Sequence, residues 1–431
     1  MKLFQQMLVA GTALSLIAPV AAQASDTLDL KGINSYSRSK KTAPRFNSDT
    51  FVNDVNEEIA TLKGRVDGLQ AQQNNFEAGG FSDSTVMDGK AIFTVGAADF
   101  SEASQTDEGT YFNYTYTMNL NSSFTGDDNL YVRLKTGNAS GWAASKTYGG
   151  YLSSTNTKND VLTVDKIWYS FPLGDNNTIY VGPKIENYYM HGATPSIYKP
   201  ITKQFTLGGN GNAYGASTDT GAGWAYKADN GFSVSSNIGT KSTTSKKVSG
   251  SYVNTGLLGN ETKTSWATQV GYTKPRYSVS AIANIKSNAW VDEYYHTDAA
   301  NNVYGDGNFT AIGLRGWWRP EETGTATPSI SLGYDTTSSV ANPGHENKST
   351  SWFAGLTWQD MFQADDKIGI AFGQPTKHES ESVDPFAYEA YYQIPINDSV
   401  TVTPAVFGGS NRNGTSGADI TGYVIQTTFK F

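Results

Sequence analysis

The carboxy-terminal stretch Asp419–Phe431 is the feature that most constrains how this chain can fold. Side chains alternate between the two faces of a β-strand, so one face of this stretch is apolar and aromatic: Tyr423, Ile425, Phe429 and Phe431. A soluble protein that ended on such a strand would expose an edge prone to aggregation. A closed transmembrane barrel removes that edge, because its last strand pairs with its first. We therefore predict a barrel, and we expect these four residues to be the signal for the barrel-assembly machinery.

Residues 1–24 have the features of a secretory signal peptide. Lys2 supplies a positive charge, an apolar run extends from Met7 to Ala22, and Ala22-Gln23-Ala24 is an A-x-A cleavage site. The alternative is a transmembrane anchor, which the shortness of the run and the cleavage site disfavour. We expect an exported chain whose mature form starts at Ser25.

The composition suits an outer-membrane barrel. The mean hydropathy is −0.43, and no later segment approaches the roughly 20 apolar residues that a membrane helix needs. The 25 Tyr, 20 Phe and 9 Trp residues match the aromatic girdles of a barrel, in which only alternate residues face lipid. The net charge of −8 argues against a nucleic-acid partner. The absence of cysteine excludes disulfides, thiolate metal sites and cysteine nucleophiles.

A helix is predicted over 49–78, after a polar segment, 25–48, that we interpret as flexible. Its apolar residues recur with the alternating spacing of a coiled coil. A lone coiled-coil strand cannot bury its seam, so the pattern predicts an oligomer; the alternative is a helix lying on the protein's own surface. The predicted oligomerisation seam consists of Val52, Val55, Ile59, Leu62, Val66, Leu69, Gln73 and Phe76.

A linker over 79–89 leads to the predicted barrel domain, 90–431. About sixteen segments alternate apolar and polar residues, and an even number is what bacterial barrels require. Short turns alternate with long polar loops along the chain, as periplasmic turns and outer loops do. This alternation of loop lengths places both ends of the mature chain, and therefore the helical stalk, in the periplasm. A secreted β-sandwich or β-helix, the main competing folds, would not produce it.

A barrel of this size should enclose an aqueous channel, since eight strands suffice only to pack side chains inside. We predict that the third outer loop, 185–220, folds into the lumen and narrows it; the alternative is a loop lying over the barrel mouth. The residues expected to form this constriction are Glu186, Tyr198, Lys199, Lys203, Asn210, Asn212 and Tyr214.

Charged residues on the polar strand faces are mostly basic. A pore wall of one sign concentrates counter-ions, so the pattern predicts a mild preference for anions over bare cations. The alternative is that acids of the loop neutralise this wall. The expected pore-lining basic residues are Arg133, Lys135, Lys166, Lys286 and Arg315, and the inward acid is Glu389.

Motifs for catalysis or metal binding are missing from the sequence. None of the four histidines has a partner at metal-ligand spacing, and there is no G-x-S-x-G. Acidic pairs such as Asp365-Asp366 stand at strand ends, where we interpret them as solvated. We therefore predict a protein that is not an enzyme and holds no cofactor.

Several stretches resemble cyanobacterial outer-membrane porins, the iron-uptake group that belongs with the carbohydrate-selective porins. They are 62–69, 81–82 and 88–93 at the stalk–barrel junction, 168–175, and 206–212. The resemblance extends from about Leu62 to Phe431, and it implies a homotrimer that passes inorganic ions, iron among them, and small organic solutes. The family usually carries a surface-layer-homology module, for which residues 25–50 are too few.

Two functions are consistent with these features. The first is a porin that lets small hydrophilic solutes diffuse through the outer membrane, either generally or with selectivity for sugars. The second is a structural envelope protein, with a largely plugged barrel and a periplasmic stalk. The missing wall-binding module argues against the second.

Overall fold

The computed structural model describes residues 84–101, 109–214, 219–241, 245–248, 251–254, 256–257, 262–288, 290, 308–339 and 348–431. The predicted signal peptide, flexible segment and coiled-coil helix, with its seam, lie outside these residues. Among the described residues, no helix is long and apolar enough to cross a membrane.

Sixteen antiparallel strands close into one barrel, which confirms the predicted fold class. Each strand pairs with its neighbours in the chain, except that the seventh strand pairs directly with the tenth, and the eighth and ninth form a separate two-stranded hairpin. In chain order the strands are β1 (Thr85–Phe100), β2 (Tyr111–Ser122), β3 (Asn129–Gly137), β4 (Thr163–Pro172), β5 (Asn177–Lys184), β6 (Thr220–Lys227), β7 (Phe232–Thr240), β8 (Ser245–Val248), β9 (Ser251–Asn254), β10 (Thr264–Lys274), β11 (Tyr277–Ser287), β12 (Phe309–Trp318), β13 (Ser329–Ser339), β14 (Lys348–Gln359), β15 (Lys367–His378), β16 (Phe386–Asn397), β17 (Val400–Ser410) and β18 (Ile420–Lys430). Short 3-10 helices lie in outer loops, at Gly141–Ala144, Asn187–Met190, Lys203–Gly208 and Arg412–Gly414.

The barrel closes through β1 and β18, with partners running from Lys90↔Lys430 to Phe100↔Ile420. The last residue continues this ladder: the Gly89 amide donates to the Phe431 carbonyl at 2.8 Å, and the Phe431 amide donates to the Gly89 carbonyl at 3.1 Å. The Phe431 ring stacks on Tyr116, with centroids 5.7 Å apart. A Cβ on Gly89 would lie 2.7 Å from that ring, so only glycine fits here. The terminal strand thus has no free edge.

Strand β11 shows how the alternating pattern sorts side chains. Tyr277, Val279 and Ile285 are exposed on the outer surface, whereas Ser278 and Asn284 are buried on the inner side. Other strands expose large apolar residues in the same way, which produces the apolar outer band that lipid requires.

Some boundaries differ from those predicted. β1 begins at Thr85 rather than at Lys90, because Thr85 still finds a pairing partner in Ser122 of β2. β15 continues to His378, paired with Ser349 of β14. The hairpin β8–β9 was not predicted, because its short polar strands lack an apolar alternation.

Two of the short turns are held by a buried aspartate. Asp128 accepts hydrogen bonds from the amides of Phe124 and Thr125, at 2.9 and 2.8 Å, and from the Tyr169 hydroxyl at 2.7 Å. Asp366 accepts from three successive amides, starting with that of Met361 at 2.7 Å, and from the Tyr392 hydroxyl at 2.9 Å. Each is the second residue of an Asp-Asp pair. The interpretation of these pairs as solvated is therefore wrong for Asp366, which is fully buried.

Asp366→Asn should destabilise the barrel in a pH-dependent way. Burial opposes ionisation of Asp366, but the hydrogen bonds from Tyr392 and the turn amides outweigh it and lower the pKa of this carboxyl. A lowered pKa contributes stability above the unfolded-state value, and that stability is lost as the pH falls through the folded-state value. We expect the variant to lose on the order of 1–3 kcal/mol at neutral pH, and the gap to the wild type to close in acid. Denaturant unfolding followed by Trp fluorescence measures it.

Asp365→Asn is the matched control, because this neighbouring carboxylate is exposed. Equal losses in the two variants, or a loss independent of pH, would show that the hydrogen bonds to the Asp366 carboxylate do not stabilise the turn.

Candidate functional site

The loop between β5 and β6 lies inside the barrel over residues 185–214 and follows the inner wall. The Gly192 amide donates to Ser235 Oγ of β7 at 3.1 Å, and the Ala193 amide donates to Gln269 Oε1 of β10 at 2.9 Å. Farther along, Trp317 Nε1 of β12 donates to the Thr194 carbonyl at 3.0 Å. The loop is thereby attached to successive strands rather than resting over the mouth.

A buried ion pair holds the far part of this loop. Arg315 Nη2 lies 2.6 Å from Asp335 Oδ2, and both side chains are almost fully buried. Two further polar atoms of the pair bind the loop backbone: Arg315 Nε donates to the Leu207 carbonyl at 3.0 Å, and the Ala213 amide donates to Asp335 Oδ1 at 3.3 Å. These hydrogen bonds offset the cost of burying two charges, so the pair attaches the loop to β12 and β13.

The carboxylate of Glu389, on β16, binds the middle of the loop. One oxygen accepts from the Tyr198 hydroxyl at 2.9 Å and from the Ile201 amide at 3.0 Å. The other accepts from the Thr202 amide at 2.7 Å and from the Thr202 hydroxyl. Glu389 is 1% exposed. Four donors on one buried carboxylate fix both the position and the direction of this part of the loop.

Small residues on the inner wall let the loop approach closely. A Cβ on Gly333 of β13 would lie 1.9 Å from the Gly208 carbonyl oxygen, and a Cβ on Gly355 of β14 would lie 2.7 Å from the Tyr198 ring. The inward residues of the next three strands include Ala371, Ala387 and Ala405, all buried beneath the loops. Larger side chains at these positions would push the loop into the lumen.

A second outer loop, residues 138–162, also folds inward and pairs with the first. The Ser153 amide donates to the Ile201 carbonyl at 2.7 Å, and the Lys203 amide donates to the Tyr151 carbonyl at 2.8 Å. The two loops share an apolar cluster with the inner faces of β14–β18 and the end of β1 at Phe100. Its large members are Phe100, Trp142, Tyr148, Leu152, Tyr198, Ile201, Phe205, Phe353, Tyr391, Phe407 and Ile420. This side of the lumen is therefore filled by packed side chains, which the polar strand faces did not predict.

An open space lies between the loops and the β1–β3 wall, and we call it the passage. It has a cavity volume of about 720 Å³. Basic side chains predominate along it: Lys90, Arg133, Lys135, Lys199, Lys203 and Lys227 border it, and Glu186 is the acidic residue that does so. The excess of cations gives the passage a positive field.

Two carboxylates balance the charge of Arg133 in the passage. Arg133 Nη2 lies 2.6 Å from Asp165 Oδ2 and 2.7 Å from Glu186 Oε2. Within the described part of the chain, Lys90, Lys135 and Lys199 form no ion pair with a carboxylate. Charge that no carboxylate balances therefore resides on Lys90, Lys135 and Lys199.

The structure distributes the predicted site residues over three environments. Arg133, Lys135, Glu186, Tyr198, Lys199 and Lys203 border the passage. Arg315, Glu389, Asn210, Asn212 and Tyr214 are buried between the loop and the wall, where Asn212 Nδ2 donates to Thr337 Oγ1 at 3.0 Å. Lys166 and Lys286 are also buried; Lys166 lies 3.9 Å from Asp165, and Lys286 lies over the Phe309 ring. None of these seven buried residues borders the passage.

The sequence reasoning overlooked Lys90 and Lys227, which also border the passage. Both stand at the ends of predicted strands, where a basic residue does not by itself indicate a pore-lining position. The signal lies in the pairing: Lys90 is the partner of Thr117 on β2 and of Lys430 on β18, so it shares the inner face with the polar side of β2.

Comparison with known proteins places this barrel in a family. The model of the carbohydrate-selective porin, OprB family, matches residues 47–407. The chain belongs to this family. It is therefore an outer-membrane porin, and its closed barrel with an inward loop is the porin architecture. Among curated proteins, this porin is 27% identical over 412 residues to an uncharacterised protein of Nostoc sp., covering 87% of this chain and 70% of that one. It is 24% identical to an uncharacterised protein of Synechocystis sp., covering 88% and 74%.

Solved porins share the fold. OprB of Pseudomonas putida aligns with a TM-score of 0.58 at 9% identity, covering 84% of this porin and 96% of that chain. An anion-selective porin from Comamonas acidovorans aligns with a TM-score of 0.53 at 9% identity, covering 81% and 99%. At this identity the likeness extends to the fold and not to the residues of the passage.

Glu389→Gln should loosen the constriction. The amide group that replaces one carboxylate oxygen cannot accept hydrogen bonds from the loop, and bonds to a charged acceptor contribute about 1.5–3 kcal/mol each. We expect single-channel recordings to show a higher and noisier conductance than in the wild type. Glu322→Gln, an exposed glutamate in a periplasmic turn, is the control and should change neither property. A correctly folded Glu389→Gln channel with wild-type conductance and noise would contradict the assigned role of Glu389.

Proposed function

We propose that this porin is a passive diffusion channel for small hydrophilic solutes and inorganic ions, with a preference for anions. The observation that carries the proposal is the passage itself, an open space bordered by six basic residues and one acidic residue. A low-dielectric barrel wall focuses the field of such a lining and concentrates anions within it.

The loop 185–219 sets the size limit of the proposed channel. Its attachments to Gln269, Arg315, Asp335 and Glu389 keep it against the wall, and its free face borders the passage. Solutes must therefore pass between this face and the side chains of β1–β3. The part of the loop that faces the passage is 186–207, whereas 208–214 is buried against the wall.

Iron fits the proposal only as an anionic complex, because the lysines of the passage repel bare ferrous and ferric cations. Assembly as a homotrimer and a periplasmic stalk built from the 52–76 seam belong to the proposal as well, by analogy with porin-type assembly and from the heptad pattern.

The apolar packing of part of the lumen favours a second candidate, a structural envelope protein with a plugged barrel. The two candidates differ in conductance. Purified, folded protein in a planar bilayer should conduct ohmically as a diffusion porin, and it should carry no current as a plug.

Reversal potentials across a KCl gradient test the anion preference. The wild type should favour chloride, and Lys135→Glu combined with Lys199→Glu should shift the permeability ratio several-fold toward potassium, because two cations of the passage become anions. Lys274→Glu is the matched control: Lys274 shares the outer face of β10 with the exposed Trp266 and Val270, so its charge lies off the lumen. A cation-selective wild type, or an equal shift in the control, would contradict the proposed role of the passage.

A further inference from the structure

A short part of the second inward loop lies across the junction between the first and last strands, which we call the seam. Thr115 Oγ1 of β2 donates to the Ser154 carbonyl at 2.6 Å, and Gln426 Nε2 of β18 donates to Ser154 Oγ at 2.8 Å. Because β2 and β18 flank β1 on its two sides, one loop residue bridges three strands. The residues of β1 that are the ladder partners of these two donors, Ile92 and Thr94, are both buried.

The same loop also reaches the outer ends of β17 and β18. The Tyr148 hydroxyl donates to the carbonyl of Asn411, in the connection between these two strands, at 2.7 Å. Gly149 has a φ of 73°, and a Cβ there would lie 3.1 Å from the Cα of Gly409. Glycine permits both this backbone conformation and this close approach. The loop, which starts after β3, therefore extends along the inside of the barrel from β2 to β17.

The second inward loop connects the seam to the anchored part of the first. Ser153 Oγ donates to the Pro200 carbonyl at 2.9 Å, and Leu152 forms a β-bridge with Thr202. The Thr202 amide in turn donates to the Glu389 carboxylate of β16 at 2.7 Å. A continuous set of contacts thus leads from β2 and β18, through the two loops, to β16.

The seam differs from the other junctions of the barrel in how it forms. Nearly all other neighbouring strands follow one another in the chain, whereas β1 and β18 come from the two ends of the barrel. Closing a longer loop costs more conformational entropy, so chain connectivity favours this pairing least. The loop depends on the same closure, because the hydrogen bond from Gln426 to Ser154 spans 272 positions and that from Tyr148 to Asn411 spans 263.

We propose that loop 138–162 is an internal clasp, which docks once β18 has paired with β1 and then holds the seam closed. Its hydrogen bonds to β2 and β18 must break before β1 and β18 can separate. The clasp should therefore slow the opening of the seam and have little effect on the rate of its closure, because it forms after that step. It is a property of the barrel and does not depend on which solutes pass.

Unfolding rates in urea test the clasp. Ser154→Ala removes the hydroxyl that Gln426 binds, and Thr115→Val removes the donor to the Ser154 carbonyl. Together they should speed the unfolding of the barrel in detergent micelles, followed by Trp fluorescence, by about fivefold or more, and leave the refolding rate within a factor of about two. Thr117→Val, at a position of similar burial on the same face of β2, is the matched control and should change neither rate.

A cross-link across the seam distinguishes a clasp from packing in general. Val95→Cys and Ile425→Cys replace ladder partners on β1 and β18, and the chain has no other cysteine, so a short bifunctional thiol reagent can join them. Once the seam is closed covalently, Ser154→Ala with Thr115→Val should no longer speed unfolding. A difference in rate that persists in the cross-linked protein would overturn the clasp, because the loop would then stabilise the barrel by packing alone. Wild-type unfolding rates without the cross-link would overturn it as well.

The order of docking is measured during refolding, with no change to the clasp itself. Ala143 lies in the loop and is buried in the apolar cluster, so protection of Ala143→Cys from a thiol reagent reports docking. Pulse labelling should show this protection arising together with, or after, the ability of positions 95 and 425 to be cross-linked. Protection that arises first would contradict the proposal, because the loop would then dock without a closed seam. None of these measurements requires an ion current, so their failure would leave the diffusion function intact.

Discussion

An unpaired backbone amide or carbonyl in hydrocarbon costs several kcal/mol, and the rest of this structure depends on avoiding that cost. The chain satisfies the requirement by closing β1 onto β18 through the last residue, where Gly89 and Phe431 exchange hydrogen bonds. Sixteen strands in one closed ring leave a lumen far wider than inward side chains alone can fill. The width of that lumen is what the two inward loops then reduce.

The loops divide the lumen because its walls differ. The inner faces of β14–β18 carry Phe353, Tyr391 and Phe407, and hydration of these rings is unfavourable by about 25 cal/mol for each Å² exposed. The loops bury them. Apolar packing has no direction, however, so the register of the loop comes from polar groups: Glu389 and the Arg315–Asp335 pair bind particular amides and carbonyls. The neighbouring strands, β1–β3, carry the polar and basic side chains that border the passage, and this space stays open.

Much of this architecture can be predicted from the sequence. Alternation of apolar and polar residues and the short–long rhythm of connections are local patterns, and they predicted the closed sixteen-strand barrel. The inward direction of Arg315 and Glu389 was also predictable from strand parity. Their burial beneath a loop was not, because it depends on contacts between residues more than a hundred positions apart. The alternation of inward and outward residues likewise could not distinguish the strands that the loops cover from the strands that border the passage. One overlooked signal was the run of inward small residues, among them Gly333, Gly355 and Ala371, which provides room for a loop.

Site-directed thiol labelling tests the off-centre passage most directly, because the chain has no native cysteine. Lys135→Cys borders the passage, whereas Ala405→Cys, on β17, would lie within the apolar cluster. With a charged methanethiosulfonate reagent, this account predicts rapid modification at position 135 with a drop in single-channel current, and slow modification at position 405 with no change in current. Equal rates of modification at the two positions, or a current that falls only when position 405 reacts, would show that solutes do not cross beside β1–β3.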